Sequence, residues 1–189
     1  SSDYKPTTAI TVSSWYKPES HNNWGKIITV PYALSGWSAP YFSYALSSTD
    51  STGGRPAFGG AFTNSGTYGT VTASTTMNLN QWYHIVATYD GTSIKIYVDG
   101  NLDGTTARTG SIYYPVDSNI QIGGRGSYAG GEYTDGDISS VSIYNVAKSA
   151  SEILTMYNDG MNKDESSNSG LVGYWKMDNG TTVNDLSSN

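Results

Sequence analysis

Hydrophobic and polar positions alternate along most of this chain, and Pro, Gly and Asp-Gly pairs cut the alternation into short runs. Residues 8–16 carry Ile10, Val12 and Tyr16 on one face and Trp15 on the other, and Pro18 stops the run. A second run, 24–30, ends at Pro31; 41–46 and 57–62 predict a third and fourth strand, and Val71 sits in a weak, Thr-rich fifth. The clearest unit spans Gln81 to Gly100: a strand over 82–89, a turn at Asp90-Gly91 and a return strand over 93–98. Asp-Gly tolerates the positive φ values of a tight hairpin, and Asp99-Gly100 predicts another hairpin immediately after. Further strands are predicted at 120–123, 138–144 and 171–177.

The period changes once. Ser149-Ala150-Ser151-Glu152 is a capping box, with an apolar stripe of Ala150, Ile153, Leu154 and Tyr157 behind it and Gly160 as the stop. Residues 162–170 are polar and read as a linker to the last strand. One short helix among ten or so strands predicts an all-β fold, and 189 residues suit one large domain, 1–189. The 22 Gly and 16 Tyr, with only 14% charged residues, fit short strands and tight turns.

Charge narrows the partners. Net charge is −6 and the pI about 4.6, with scattered Lys and Arg, so nucleic acid is not an expected ligand. No apolar run approaches the ~20 residues that span a bilayer, so membrane insertion is not expected either. The absence of cysteine removes a disulfide scaffold, a zinc-thiolate site and a thiol nucleophile together. A Cys-free, Ser/Thr/Gly/Tyr-rich composition points to an extracellular, cell-surface or virion-surface setting. The opening Ser1-Ser2-Asp3-Tyr4 reads as the start of a mature or excised piece of something longer.

Several ordered motifs resemble the laminin-G-like domains, of the concanavalin-A-like lectin/glucanase type. Gln81 to Gly91 with Ile94 to Gly100 is similar to the family's central hairpin. Ile120-Gln121-Ile122-Gly123-Gly124-Arg125, then Gly136 to Asn145 and the helix with Glu152-Ile153, resembles its C-terminal signature, and Ile10 to Pro18 its early strand. The resemblance covers about residues 8–178 and implies a two-sheet antiparallel jelly-roll sandwich with one short helix. One element is displaced. The strand that usually opens the family stands here at the C-terminus, as Gly170 to Asp178 followed by Asp185 to Asn189. Either the domain is permuted, or the tail begins another repeat of a tandem array. An unpaired tail would expose Trp175 and Met177 on a free strand edge, an aggregation hazard, which favours a strand over 171–178 completing the sandwich from the chain's own end.

Candidate chemistry is sparse. Glycan cleavage needs two carboxylates about 5 to 10 Å apart, and related glucanases carry a Glu-x-Asp-x-Glu strand. Of the glutamates, Glu152 is a helix cap, Glu165 lies in the linker and Glu19 stands apart; Glu132 with Asp135 and Asp137 has the wrong spacing for that strand. Neither His21 nor His84 pairs with a nucleophile or shows metal-ligand spacing. The resemblance implies a structural calcium, whose matching positions are Asp137 and Asp185, with Asp178 as a third; the same acids could instead cap turns.

Aromatic loops are the feature that suggests a ligand. Trp37 and Tyr41 lie beside Gly36 and Pro40, Tyr114 precedes Pro115, and Arg125, Tyr128, Glu132 and Tyr133 share a glycine-rich loop. Rings stack on apolar sugar faces at low entropic cost, while Arg and Glu add directional hydrogen bonds. The alternative for each ring is core packing, since Phe is scarce. The expected function is non-catalytic recognition or adhesion toward a glycan or surface glycoprotein. The alternative is structural assembly with neighbouring copies, or with other domains of a larger surface or virion protein. A glycan hydrolase or lyase is a third.

Overall fold

The computed structural model describes residues 4–21, 24–32, 40–49, 53–63, 67–114, 119–125, 132–177 and 184–187. Among these, the strands are β1 (Ile10–Pro18), β2 (Lys26–Pro31), β3 (Phe42–Ser47), β4 (Ala57–Ala61), β5 (Tyr68–Thr72), β6 (Tyr83–Tyr89), β7 (Ser93–Val98), β8 (Asn101–Ala107), β9 (Gln121–Ile122), β10 (Gly136–Tyr144) and β11 (Leu171–Trp175). The helix α1 spans Ala150–Asp159. The strands form a six-stranded sheet, β11-β10-β1-β6-β7-β8, and a five-stranded sheet, β5-β4-β3-β2-β9, with every pairing antiparallel.

Between the sheets lies one core. Ile10, Val12 and Tyr16 of β1, Ile85, Ala87 and Tyr89 of β6 and Ile94 and Ile96 of β7 face Ile28 and Val30 of β2, Tyr44 and Leu46 of β3 and Phe58 of β4. The Asp99-Gly100 turn takes φ values of 49° and 76°, the left-handed pair that a two-residue hairpin needs.

The opposite face of the six-stranded sheet is covered too. Trp15 stacks on the imidazole of His84 at 5.1 Å and on Tyr157 of α1 at 5.9 Å. Ile153 of α1 packs with Val86 and Tyr97. The sequence stripe placed Leu154 on the buried side; instead Leu154 is 44% exposed, and Met156 is buried with Tyr144, Leu171 and Tyr174. The capping box at Ser149 and Glu152 forms as expected.

β11 lies antiparallel beside β10 of the same chain, with Trp175 opposite Val141 and Tyr174 opposite Ser142. Strict alternation predicted Leu171 and Trp175 on one face and Val172 and Tyr174 on the other. The structure sorts them differently: Val172 and Trp175 enter the main core, while Leu171 and Tyr174 join Met156 outside. The cause is a bulge. Tyr144 pairs with Leu171 but Ile143 pairs with Gly173, so Val172 is an extra residue that shifts the alternation by one. Gly173 is glycine of necessity, because a Cβ there would lie 2.7 Å from the Trp175 ring.

Residues 162–170 are largely exposed, as a polar linker should be, but they are not structureless. They turn through bonds from Lys163 N to Gly160 O and from Asn168 N to Glu165 O, and Glu165 is buried, accepting the Tyr144 hydroxyl at 2.7 Å. Burial, first of all, raises the Glu165 carboxyl above its ordinary range.

Two outcomes follow from this packing. Trp175→Ala should destabilise the fold by about 3–5 kcal/mol, and deletion of residues 170–189 should abolish cooperative melting; a truncated chain that melts at the full-length temperature would contradict the role of β11 in closing the sandwich. His84 is held neutral, its ring lowered from 6.5 to about 4 by burial, with Ser13 Oγ 2.9 Å from Nε2. The unfolded chain takes up that proton first, so the His84 contribution is complete above pH 6.5 and is lost as pH falls from there toward 4. Its size is on the order of 3 kcal/mol. Thermal melts across that window should fall less steeply for His84→Gln than for the wild type.

Candidate functional site

The outer face of the five-stranded sheet carries small side chains where β2, β3, β4 and β5 run side by side. Ser47 of β3 is opposite both Lys26 and Ala57, and Gly59 of β4 is opposite Thr70 of β5. These leave a hollow of about 230 Å³, walled by Trp24, Tyr41, Phe42 and Tyr68 and floored by Ser47, Ala57, Gly59 and Thr70. A Cβ at Gly59 would meet the Tyr68 hydroxyl at 3.0 Å and the Gly69 carbonyl at 2.6 Å, so this strand position admits only glycine. Tyr41 meets Tyr68 edge-on at 6.4 Å. Trp24 is 46% exposed and Tyr68 37% exposed, so both present ring surface to solvent.

Trp24 stands just before β2 with a φ of 65°, a left-handed conformation that bulky residues rarely adopt. The side chain of Lys26 holds that turn: its Nζ donates to the Trp24 carbonyl at 2.5 Å. The same ammonium lies 4.9 Å from the Phe42 ring, 5.5 Å from the Trp24 ring and 3.5 Å from Glu132 Oε1. Arg125 Nη1 is 3.7 Å from Glu132 Oε2, and its guanidinium lies 4.9 Å from the Phe42 ring. Glu132 therefore sits between two buried cations, anchored by a backbone bond from Lys26 N to Glu132 O at 2.9 Å. Desolvation, partly offset by Glu132, lowers Lys26 to about 8. Burial and the charge of Glu132 push the Tyr68 phenol up to about 12.

Of the residues expected to bind ligand, Tyr41 and Glu132 line this hollow and Arg125 backs Glu132. Tyr133 is 57% exposed and does not line the hollow; its ring lies against Gly124, where a Cβ would meet it at 2.4 Å. Tyr114 belongs elsewhere. It packs edge-on against core residue Tyr44 at 6.3 Å and donates to the Pro6 carbonyl at 2.9 Å, so core packing claims it. Trp37 and Tyr128 lie outside the described residues, as does Asp178. Trp24, Lys26, Tyr68 and Thr70 were not expected from the sequence. The available signal was Lys26, a charge at the start of a largely apolar run and two residues after Trp24.

The carboxylates matched to calcium are otherwise engaged. Asp137 pairs with Lys17 at 2.5 Å. Asp185 Oδ1 accepts from Tyr174 N and Ser187 N, both at 2.9 Å, and Oδ2 accepts the Tyr4 hydroxyl. Among the described residues, no three acidic or imidazole side chains converge as a cation site; Asp178, the third matched position, lies outside them. The bonds from Tyr174 N and Ser187 N make Asp185 a turn cap that laces the tail to β11. The run Glu132, Asp135, Asp137 is likewise dispersed: Asp135 offers its backbone carbonyl to Tyr16 Oη and Glu19 N, while Asp137 faces Lys17.

Two antiparallel sheets, one covering helix and an aromatic hollow on the outer sheet face define a lectin-like jelly roll. The profile of the concanavalin A-like lectin/glucanases superfamily matches residues 1–154, and the chain belongs to that superfamily. Among curated proteins it is similar to pappalysin-1, at 33% identity over 76 residues of the mouse protein and 26% over 158 residues of the human one. The aligned stretches cover 40% and 79% of this chain but only 5% and 10% of those relatives. Among solved structures it is similar to a candidate carbohydrate-binding protein from Bacteroides ovatus, with a TM-score of 0.68 and 18% identity over 94% of this chain and 49% of that one. A heptameric SAP-like pentraxin from Limulus polyphemus superposes with a TM-score of 0.65 and 18% identity, covering 96% of this chain and 82% of the pentraxin. Domain 4 of an extracellular arabinanase from Geobacillus stearothermophilus, solved with arabinotriose, gives a TM-score of 0.54 and 15% identity over 80% of this chain and 67% of that one. At these identities the structural likenesses establish the fold.

Lys26 supplies a prediction of definite sign. Its folded value, about 8, lies below its ordinary 10.5, so the unfolded chain holds the proton more tightly at intermediate pH. Stability should therefore rise by on the order of 1–2 kcal/mol from pH ~8 to ~9.5, before the tyrosines ionise in the unfolded chain. Urea denaturation at the two pH values checks this, and in Lys26→Met the rise should vanish.

Proposed function

We propose that this chain is a non-catalytic glycan-binding module whose ligand seat is the aromatic hollow on the five-stranded sheet. The observation that carries the proposal is the union, in one hollow, of solvent-facing rings with a buried, charged hydrogen-bonding group. Trp24 and Tyr68 offer flat surface for the apolar face of a sugar ring, and Glu132, 15% exposed, brings a carboxylate to the base above the buried Lys26. The hollow is the size of one or two sugar units rather than of a protein epitope. Two structures similar in fold, the Bacteroides ovatus protein and the arabinanase domain, support the same reading.

Binding without chemistry is supported by the fate of the carboxylates. Glu132 is neutralised between Lys26 and Arg125, and Asp137 by Lys17, so neither stands free to act as a general acid beside a second carboxylate. An extracellular setting is supported by the lectin-like family and by the Cys-free, Tyr- and Ser-rich composition. No helix among the described residues is long and apolar enough to cross a membrane.

A glycan array followed by calorimetric titration tests the proposal. The wild type should bind one or more oligosaccharides and return them uncleaved. Trp24→Ala, a change at a half-exposed position, should weaken binding by about tenfold or more, equivalent to ~1.4 kcal/mol, with an unchanged melting curve. Equal affinity in that variant, or release of reducing ends by the wild type, would overturn it. If Trp24 and Tyr68 instead become protected only as the chain self-associates, the assembly alternative takes its place.

A further inference from the structure

We infer that the hollow recognises acetylated sugars, with the acetyl carbonyl accepting a hydrogen bond from Ser47 Oγ and the acetyl methyl lying over Ala57. The inference rests on the glycan-binding reading and concerns which glycans the same seat accepts.

Walls and floor offer a ligand different things. Trp24 and Tyr68 present ring surface to solvent, so a sugar ring that stacks on either leaves the space beneath it for a substituent. That space ends on β3 and β4, where Ala57, Phe58 and Gly59 are apolar and Phe42 closes the side. Two charged side chains line the hollow, but Lys26 is 1% exposed, with its ammonium committed to the Trp24 carbonyl, and Glu132 is 15% exposed, with Oε2 sealed from solvent. Most of the floor that a substituent can touch is therefore apolar.

The floor also holds one uncommitted neutral donor. Thr70 Oγ1 already donates to the Phe58 carbonyl at 3.2 Å. Ser47 Oγ makes no hydrogen bond among the described residues, and unlike the hydroxyl of Ser43 it is not sealed from solvent. Ser47 is directly opposite Ala57 across the β3–β4 pair, so the two side chains share the outer face about 5 Å apart. An acetyl group matches that spacing: a carbonyl oxygen bonded to Ser47 Oγ carries the attached methyl into contact with Ala57.

Other substituents fit less well. A bare hydroxyl can bond Ser47 Oγ but puts no carbon on Ala57, and its remaining hydrogen-bonding capacity loses water against an apolar floor without replacement. A free amine, charged at neutral pH, would be desolvated over the same surface beside Lys26. The acetyl group is neutral, its carbonyl takes the one donor, and its methyl covers the apolar remainder.

The test uses the intact chain and two matched pairs of uncharged glycans: chitotriose with cellotriose, and O-acetylated glucomannan with the same polymer after mild alkali has removed its esters. Affinity is measured by calorimetric titration. The expected result is that the acetylated member of at least one pair binds about tenfold or more tightly than its partner, as one well-placed methyl in an apolar pocket can provide. The pair that shows the preference separates an acetamido group from an acetyl ester. Ser47→Ala, which removes the donor, and Ala57→Val, which fills the methyl seat, should each bring the two members of that pair close to parity. Melting curves check that both variants fold, and Ser47→Ala decides the matter if Ala57→Val does not. Parity in the wild type, or a folded Ser47→Ala that keeps the full preference, overturns the inference while leaving the glycan-binding reading intact. So does binding to neither pair when other glycans on the array bind. Binding to no glycan at all overturns the inference together with the reading on which it rests.

Discussion

The six-stranded sheet has to bury both of its faces, and most of the molecule's organisation follows from that constraint. One face meets the other sheet across the core. The second needs a separate cover, which residues 145–170 supply, with α1 at their centre. Polar side chains on this outer face pin the cover in place rather than meeting water. Thr11 donates to the Val146 carbonyl and accepts from Lys148 N, Ser140 donates to the Met161 carbonyl, and Tyr144 donates to Glu165. Buried polar groups are costly unless paired, so these residues fix where the covering segment can lie. The same requirement explains the tail. Without β11, the edge of β10 and the core beneath Trp175 would face solvent.

The five-stranded sheet is under no such demand, and that asymmetry makes a site possible. Among the described residues, its outer face carries no helix. Ser47, Ala57, Gly59 and Thr70 are too small to fill the space above them, so the rings at the ends of β3 and β5 and in the turn before β2 stand as walls around a depression. Tyr68 and Tyr41 belong to separate segments, and the register of β3, β4 and β5 brings them together. Among the described residues, the floor of the site thus depends on strand pairing. It is a product of the scaffold itself.

This division marks what the sequence made legible. Period-two patterning and turn chemistry located the strands and the helix, because each rests on interactions within a dozen residues. The hairpin at Asp99-Gly100 and the capping box at Ser149 are of this kind. The errors lie where distant segments decide. Val172 bulges, so the faces of β11 could not be read by alternation. Glu165 looked like part of a linker because its partner, Tyr144, is 21 positions away. Tyr114 looked like a loop aromatic because Tyr44 and Pro6, which bury it, are remote in the chain. At the candidate site, Tyr41, Arg125 and Glu132 were recognisable as residue types suited to a ligand. Trp24 and Tyr68 were not, since nothing local distinguishes a wall residue from the end of an ordinary strand.

Lys26 is the residue whose presence most needs explanation. Its depressed titration means that the fold holds the ammonium less comfortably than water does, and at neutral pH that is a net loss of stability. Replacing buried charged groups with packed apolar ones is often neutral or favourable, so stability alone gives no reason to keep Lys26, Glu132 and Arg125 together. What the cluster provides is geometry. Lys26 fixes Trp24 in a conformation that such a residue seldom adopts, and the two cations flank the Glu132 carboxylate at the base of an aromatic depression. A strained backbone and a buried charge, side by side and both against the preference of the fold, are the pattern expected where a surface is organised around a ligand rather than around its own stability.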